Sequence, residues 1–262
     1  MLTRRRAAIT SVPRGEFAGK AALVTGAGSG IGAATAVRLA ADGALVAVAD
    51  RSASAAEEVV AQIRAMGGEA IAIAVDVTDP QAVDAAVADF ARSQGALHLA
   101  VNCAGITIPL CRIGQTSVAD WRRVMSVNAD GVFLCLRAEC EAMQAAGGGA
   151  IVNVSSIMGL AAIAGAGAYA ASKHAVIGLT KAAALDYAKV PIRINAVAPG
   201  YVDTPLLGTR GPDSRERLES LHPLGRMARA EEIGDLIAYL LSERAGFITG
   251  SVHAIDGGYG AG

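Results

Sequence analysis

The stretch Lys20-Ala21-Ala22-Leu23-Val24-Thr25-Gly26-Ala27-Gly28-Ser29-Gly30-Ile31-Gly32 decides the fold. A short apolar run enters a glycine cluster, and from Ile31 to Ala41 apolar residues recur at helical spacing until Asp42-Gly43 stops them. The pattern reads as strand, tight turn, helix. Glycines let such a turn approach a pyrophosphate, which then sits against the exposed amides and positive end of the helix. The plain alternative is a turn that holds no ligand, and in a chain with 31 glycines the pattern alone does not separate the two.

The same alternation continues outward. Ala44 to Ala49 reads as a second strand, Ala53 to Met66 as a helix ended by Gly67-Gly68, and Ala70 to Val75 as a third strand. Thr78-Asp79-Pro80 has the chemistry of a helix start, and that helix runs to about Ser93 before a fourth strand, Leu97 to Val101. A long helical stretch from about Ser117 to Ala145 ends at Gly147-Gly148-Gly149, and Ala150 to Val154 supplies strand five. A helix from about Gly167 to Ala188 is broken by Pro191, and Ile192 to Val197 makes strand six. Ala230 to Leu241 is the last helix and Ser251 to Ile255 the seventh strand. The expected fold is α/β: a single doubly wound (Rossmann) domain, residues 17–262, with a mainly parallel seven-stranded sheet and helices on both faces. Residues 203–225, rich in Pro, Gly and charge, read as a mobile insertion and a substrate lid. Residues 1–16, with Arg4-Arg5-Arg6, read as a flexible basic arm rather than a leader peptide; an anionic partner or a neighbouring subunit is the functional alternative.

Composition bounds the function. The chain has 262 residues, 53% hydrophobic and 18% charged, with formal net charge −1, which suits one large core and no nucleic-acid partner. Mean hydropathy is +0.41, yet no apolar run is long enough to span a membrane, so buried parallel strands absorb the apolar content. Cys103, Cys111, Cys135 and Cys140 form no C-x-x-C pair, which favours reduced thiols and a cytoplasmic location. His98, His174, His222 and His253 lack metal-ligand spacing, so no metal is expected.

Ligands gather at the carboxyl ends of strands in open sheets of this kind. Strand one leads into Gly26, Ser29, Gly30 and Ile31. Strand two ends in Asp50, 20 residues beyond Gly30, where a carboxylate accepts hydrogen bonds from an adenosine ribose and favours NAD; Arg51 is the complication, because it suits a 2′-phosphate. Strand three ends in Asp76-Val77, placed for an adenine edge or equally for a plain helix cap. Strand four ends in Asn102-Cys103-Ala104-Gly105. Ala168-Tyr169-Ala170-Ala171-Ser172-Lys173 places a phenol and an ammonium four residues apart, hence on one helix face. The lysine charge favours phenolate, so Tyr169 is expected to have a lowered pKa and to act as general acid or base.

Taken together, T-G-x-x-x-G-I-G at 25–32, N-x-A-G at 102–105, Asn128, Ser156, Tyr169-x-x-x-Lys173 and Pro199-Gly200 resemble the classical short-chain dehydrogenase/reductase family over residues 17 to about 260. Cys103, where a second asparagine is usual, Ala230, where proline is common, and the basic arm depart from the pattern. The resemblance implies that Tyr169 exchanges the proton with the substrate oxygen, Ser156 holds that oxygen, and Lys173 lowers the tyrosine pKa and bonds the nicotinamide ribose. It implies that Asn128 holds a water linking Lys173 to solvent. It implies that Pro199, Gly200, Val202 and Thr204 close over the nicotinamide and that Asn102, Ala104 and Gly105 belong to the cofactor site. It also implies a homotetramer.

The expected activity is NAD-dependent interconversion of a secondary alcohol and its ketone. Met158, Ile163, Ile108 and Leu206 flank the substrate position, and no arginine stands beside Ser156 or Tyr169, so a small, uncharged, mostly apolar substrate is expected. The alternatives are a 3-oxoacyl-carrier-protein reductase and a non-catalytic NAD(H) sensor. The first meets few cations at Ala145-Ala146-Gly147 and Ala188-Lys189-Val190, and the second has no need of Asn128, Ser156, Tyr169 and Lys173 together.

Overall fold

The computed structural model describes residues 15–208 and 212–261. Its sheet contains β1 (Ala21–Thr25), β2 (Leu45–Asp50), β3 (Glu69–Ala74), β4 (Leu99–Asn102), β5 (Gly149–Val154), β6 (Ile192–Pro199) and β7 (Val252–Ile255). The strand order is β3-β2-β1-β4-β5-β6-β7, and every neighbouring pair runs parallel. Chain order reverses between β1 and β4, where Thr25 pairs with Asn102, so a crevice opens above those two strand ends.

Side-chain alternation builds the two layers. Ala22, Val24, Val46 and Val48 face one core with Leu39 of α1 (Gly30–Ala41), Val60 and Ile63 of α2 (Ala53–Ala65), and Ile233 and Ile237 of α8 (Ala230–Leu241). Ala21, Leu23, Ala47 and Ala49 face the other, with Phe90 of α3 (Pro80–Gln94), Val132 of α5 (Gly131–Ala145) and Val176 of α6 (Gly167–Asp186). Both faces being buried explains why the strands read as continuous apolar runs. The start of α3 is as its sequence dictates: Pro80 occupies the first turn, and the Asp79 carboxylate accepts from Gln81 N at 2.9 Å and Ala82 N at 3.1 Å.

The structure adds detail to three of these readings. The stretch from 117 to 145 is not one regular helix, because α4 (Val118–Met125) and α5 are joined by a π-helical turn at Ser126–Asp130. Such turns occur frequently at functional sites, and this one contains Asn128. Residues 203–225, read as an insertion, include α7 (Pro212–Ser220), held by an Arg215–Glu219 ion pair at helical spacing and tied by Arg215 to Asp203. The basic cluster at 4–6 lies outside the described residues, but Gly15 and Glu16 pack with the domain: the Glu16 carboxylate pairs with Arg244 at 2.8 Å. No helix among the described residues is long and apolar enough to cross a membrane.

Candidate active site

The crevice begins at the turn between β1 and α1. Gly26 has φ +63°, and a Cβ on it would stand 2.6 Å from the Ala104 Cα, so only glycine lets this turn pack against the exit of β4. Ser29 caps α1 in extended conformation without using its hydroxyl, and the first turn carries no acid. The leading amides of α1 and that hydroxyl therefore suit a phosphate. At the end of β2, the Asp50 carboxylate accepts Gly28 N at one oxygen and Ser52 N at the other, both at 2.9 Å. These two donors aim the carboxylate across the turn. Asp76 binds Thr78 through its backbone N and hydroxyl at one oxygen, which holds its pKa below the usual carboxylate range, with Arg51 adding a weaker pull.

Asn102 ends β4. Its side chain points down into the second core, away from the crevice, where Nδ2 donates to Glu139 Oε2 at 2.9 Å and Asn153 Oδ1 at 3.0 Å. Strand parity turns its side chain toward α5, where it serves the framework. Burial pushes the Glu139 carboxyl up to about 7, against the opposing hydrogen bond from Asn102. Ala104 and Gly105 do border the crevice. A Cβ on Gly105 would lie 3.4 Å from Asn128 Oδ1 and 3.5 Å from Lys173 Nζ, so the loop, the π turn and α6 meet at this glycine.

Asn128 is fully buried, with Oδ1 accepting from Ile106 N at 2.8 Å and Nδ2 donating to Ile106 O at 2.9 Å and Ser172 Oγ at 3.0 Å. Its carboxamide ties the loop after β4 to α6. Ser155 is turned away to donate to Lys173 O at 2.9 Å, whereas Ser156 accepts from Met158 N at 3.1 Å and keeps its O–H to donate. Lys173 Nζ donates to Val154 O at 2.9 Å and lies 5.7 Å from the Tyr169 ring centroid.

Electrostatically the pair differs from the sequence expectation. Burial pushes the Tyr169 phenol up to about 12, with the Ser156 hydroxyl opposing it, and burial pulls Lys173 down to about 8. Desolvation dominates, so at neutral pH the isolated protein holds Tyr169 as a protonated acid. Burial also raises the Cys103 thiol to about 11, which keeps it protonated and a poor nucleophile at neutral pH.

These groups border one cavity of about 610 Å³. Its lining includes Gly26, Ser29, Gly30, Ile31, Asp50, Arg51, Asp76, Val77, Ser156, Tyr169, Lys173, Pro199, Gly200 and Val202. Thr204 stands behind it, its Cβ 3.2 Å from where a Cβ on Gly30 would lie, and Asn128 supports it from within. Asp50 lies three strand positions from β5, a span of about 15 Å that suits an extended dinucleotide.

A family model described as enoyl-(acyl carrier protein) reductase matches residues 26–260. A crystal structure of a short-chain type dehydrogenase/reductase from Mycobacterium marinum superposes with a TM-score of 0.89 at 38% identity, over 94% of this chain and 97% of that one. The chain belongs to the short-chain dehydrogenase/reductase family. Members of this family use a nicotinamide cofactor. The cyclohexanol dehydrogenase of Acinetobacter sp. (strain SE19) is 47% identical over 93% of this chain and 96% of its own length. The cis-4-hydroxycyclohexanecarboxylate dehydrogenase of Sinomonas cyclohexanicum is 45% identical over 94% of this chain and 98% of its own length.

Within the short-chain dehydrogenase fold, the apolar residues Met158, Ile163, Ile108 and Leu206 line the same cavity as Tyr169. Sequence reasoning missed Tyr201, Leu207 and Leu218, which also line it. Tyr201 directly follows Pro199-Gly200 and was within reach of the motif, whereas Leu218 reaches the cavity only through the fold of α7.

Proposed function

We propose that this chain interconverts a secondary alcohol and its ketone with NAD(H), on a small, uncharged and mostly apolar substrate. The observation that carries the reading is that Ser156, Tyr169 and Lys173 share one cavity with the Gly26–Ile31 turn and Asp50. The turn and the α1 amides would hold the pyrophosphate, Asp50 the adenosine ribose, Lys173 the nicotinamide ribose, and the 199–204 segment the nicotinamide. A bound nicotinamide would supply or accept the hydride. In reduction Tyr169 donates its proton to the carbonyl oxygen, which the Ser156 hydroxyl holds in line; in oxidation the alcohol proton returns to Tyr169. Asn128 fixes the loop and α6 on which these groups depend.

NAD is favoured because the aimed Asp50 carboxylate would face a 2′-phosphate with like charge. An uncharged substrate is favoured because, among the described residues, the cations lining the cavity are Arg51, beside Asp50, and Lys173, which is engaged with Val154 O. The names of the cyclohexanol-type relatives agree with a ring-bearing alcohol. A carrier-protein thioester is the second reading, prompted by the description of the matching family model, and a non-catalytic NAD(H) sensor is the third. Residues 203–225 supply Leu206, Leu207 and Leu218 and would cover the substrate. Exposed Val118, Trp121 and Phe133 on α4 and α5, with Leu185 at the end of α6, support a homotetramer, and a monomer by light scattering would overturn that part.

The test is kinetic: kcat/KM for a cyclic secondary alcohol with NAD against a 3-oxoacyl carrier-protein thioester with NADPH. The alcohol should win, and a hundredfold advantage for the thioester would reject the reading.

A further inference from the structure

His222 is 3% exposed and follows α7. Its ring bridges two walls of the cavity. Nδ1 lies 3.0 Å from Leu218 O, and Nε2 lies 3.1 Å from Tyr201 N. A carbonyl can only accept and a backbone amide can only donate, so Nδ1 carries the proton and Nε2 presents its lone pair. Both partners belong to residues that line the cavity, Leu218 on α7 and Tyr201 after β6.

The surroundings are shaped around this ring. A Cβ on Gly200 would stand 2.8 Å from His222 Nε2, so the glycine of Pro199-Gly200 is what admits the imidazole. A Cβ on Gly257 would lie 3.5 Å from the His222 Cβ, and the Tyr201, His222 and Tyr259 rings contact one another in a triad with centroids 5.7, 5.8 and 6.1 Å apart. Leu224 N also donates to Gly257 O at 3.2 Å. The strand exit, α7 and the C-terminal turn therefore converge on one side chain.

We propose that His222 is a positioning residue for the reaction: its two hydrogen bonds lock the Tyr201 backbone and the Leu218 wall into one substrate-facing unit. It touches neither the reacting atoms nor the Tyr169–Lys173 pair in this arrangement. Its contribution is to hold the wall that the substrate packs against, and so to lower KM more than to raise kcat. The kinetic part of this inference rests on the alcohol–ketone reading; the tether itself does not.

The test compares His222→Gln, whose carbonyl oxygen stands in for the Nε2 acceptor, with His222→Asn, which keeps only the Nδ1-type donor, and His222→Leu, which keeps apolar bulk. Hydrogen exchange of the Tyr201 amide is read on the full chain without added ligand. Exchange should speed by about tenfold or more in the Asn and Leu variants and stay within about threefold of wild type in Gln. With a cyclic alcohol and NAD, KM should rise about tenfold in Asn and Leu with kcat within about threefold, and should rise less in Gln, which keeps the Tyr201 bond and gives up the Leu218 one. Unchanged exchange in Leu, or Gln no better than Leu, would overturn the tether. Faster exchange with KM unmoved would overturn the positioning role. If Leu does not fold, Asn against Gln carries the same comparison. Absence of wild-type turnover on any alcohol would instead sink the proposed function, with the exchange pattern still deciding the tether.

Discussion

The Lys173 ammonium stands 5.7 Å from the centroid of the Tyr169 ring while donating to Val154 O at 2.9 Å, so the charge that should stabilise a phenolate is already engaged with a carbonyl. The two side chains lie one helical turn apart on α6, with Tyr169 facing the cavity and Lys173 reaching under it. Burial then governs both: the phenol is raised to about 12 and the ammonium lowered to about 8.

That ordering fixes a pH dependence. Oxidation needs Tyr169 deprotonated and reduction needs it protonated, so kcat/KM for alcohol oxidation should climb with pH from 7 through 10 while ketone reduction stays level and then declines. Parallel pH profiles in both directions check it. An oxidation profile with no rise anywhere between pH 7 and 10 would contradict the assignment of Tyr169 as the proton-exchanging group.

Tyr169→Phe removes one hydroxyl and little shape. Turnover should fall by ~10²- to 10⁴-fold, the usual loss for a positioned acid or base, with NADH binding by fluorescence nearly unchanged. A variant that keeps more than about a tenth of wild-type kcat would mean that another group moves the proton.

Asp50 is aimed by Gly28 N and Ser52 N, each at 2.9 Å, and Asp50→Ser should shift preference toward NADP. Removing the carboxylate lifts the repulsion on a 2′-phosphate and leaves Arg51 to pair with it. The ratio of kcat/KM for NAD over NADP should drop by about tenfold or more. Wild-type preference for NADP would remove the premise.

Glu139 offers a stability test away from the site. Its carboxyl is raised to about 7 from 4.5, so the folded protein holds that proton more tightly than the unfolded chain. The contribution is fully present below about pH 4.5 and is lost as pH rises through about 7, on the order of 3 kcal/mol across the window. Glu139→Gln cannot ionise and can still accept from Asn102. Its Tm relative to wild type should therefore be several degrees more favourable at pH 8 than at pH 5. Equal differences at both pH values would show that Glu139 does not titrate in this range.

Gly26→Ala should abolish dinucleotide binding. The added Cβ would sit 2.6 Å from the Ala104 Cα with φ at +63°, which forces the β1–α1 turn away from β4. Titration of NADH fluorescence measures it, and circular dichroism separates lost binding from lost fold. Tight NADH binding by a folded variant would show that the turn tolerates the shift.

What the sequence determined by itself is local and periodic. The apolar strands, the Asp79-Pro80 helix start and the glycine turn before α1 each write their conformation into neighbouring residues. The four-residue spacing of Tyr169 and Lys173 needs only a helix to become a contact. Strand-end position likewise made Asp50 legible, because β2 ends there and its side chain faces the turn. The tertiary structure decided what depends on packing across distant segments. Asn102 and Asp50 both stand at strand ends, but Asn102 is aimed inward by parity and by Glu139 of α5, 37 residues on. The π turn at Asn128 is built by contacts to Ile106 and Ser172, which no local pattern reports. The order of the pKa shifts at Tyr169 and Lys173 is set by desolvation, a property of every atom around them rather than of their spacing. His222 gains its two partners only when the exit of β6 folds against α7, and nothing in the residues beside it announces which carbonyl and which amide it will join.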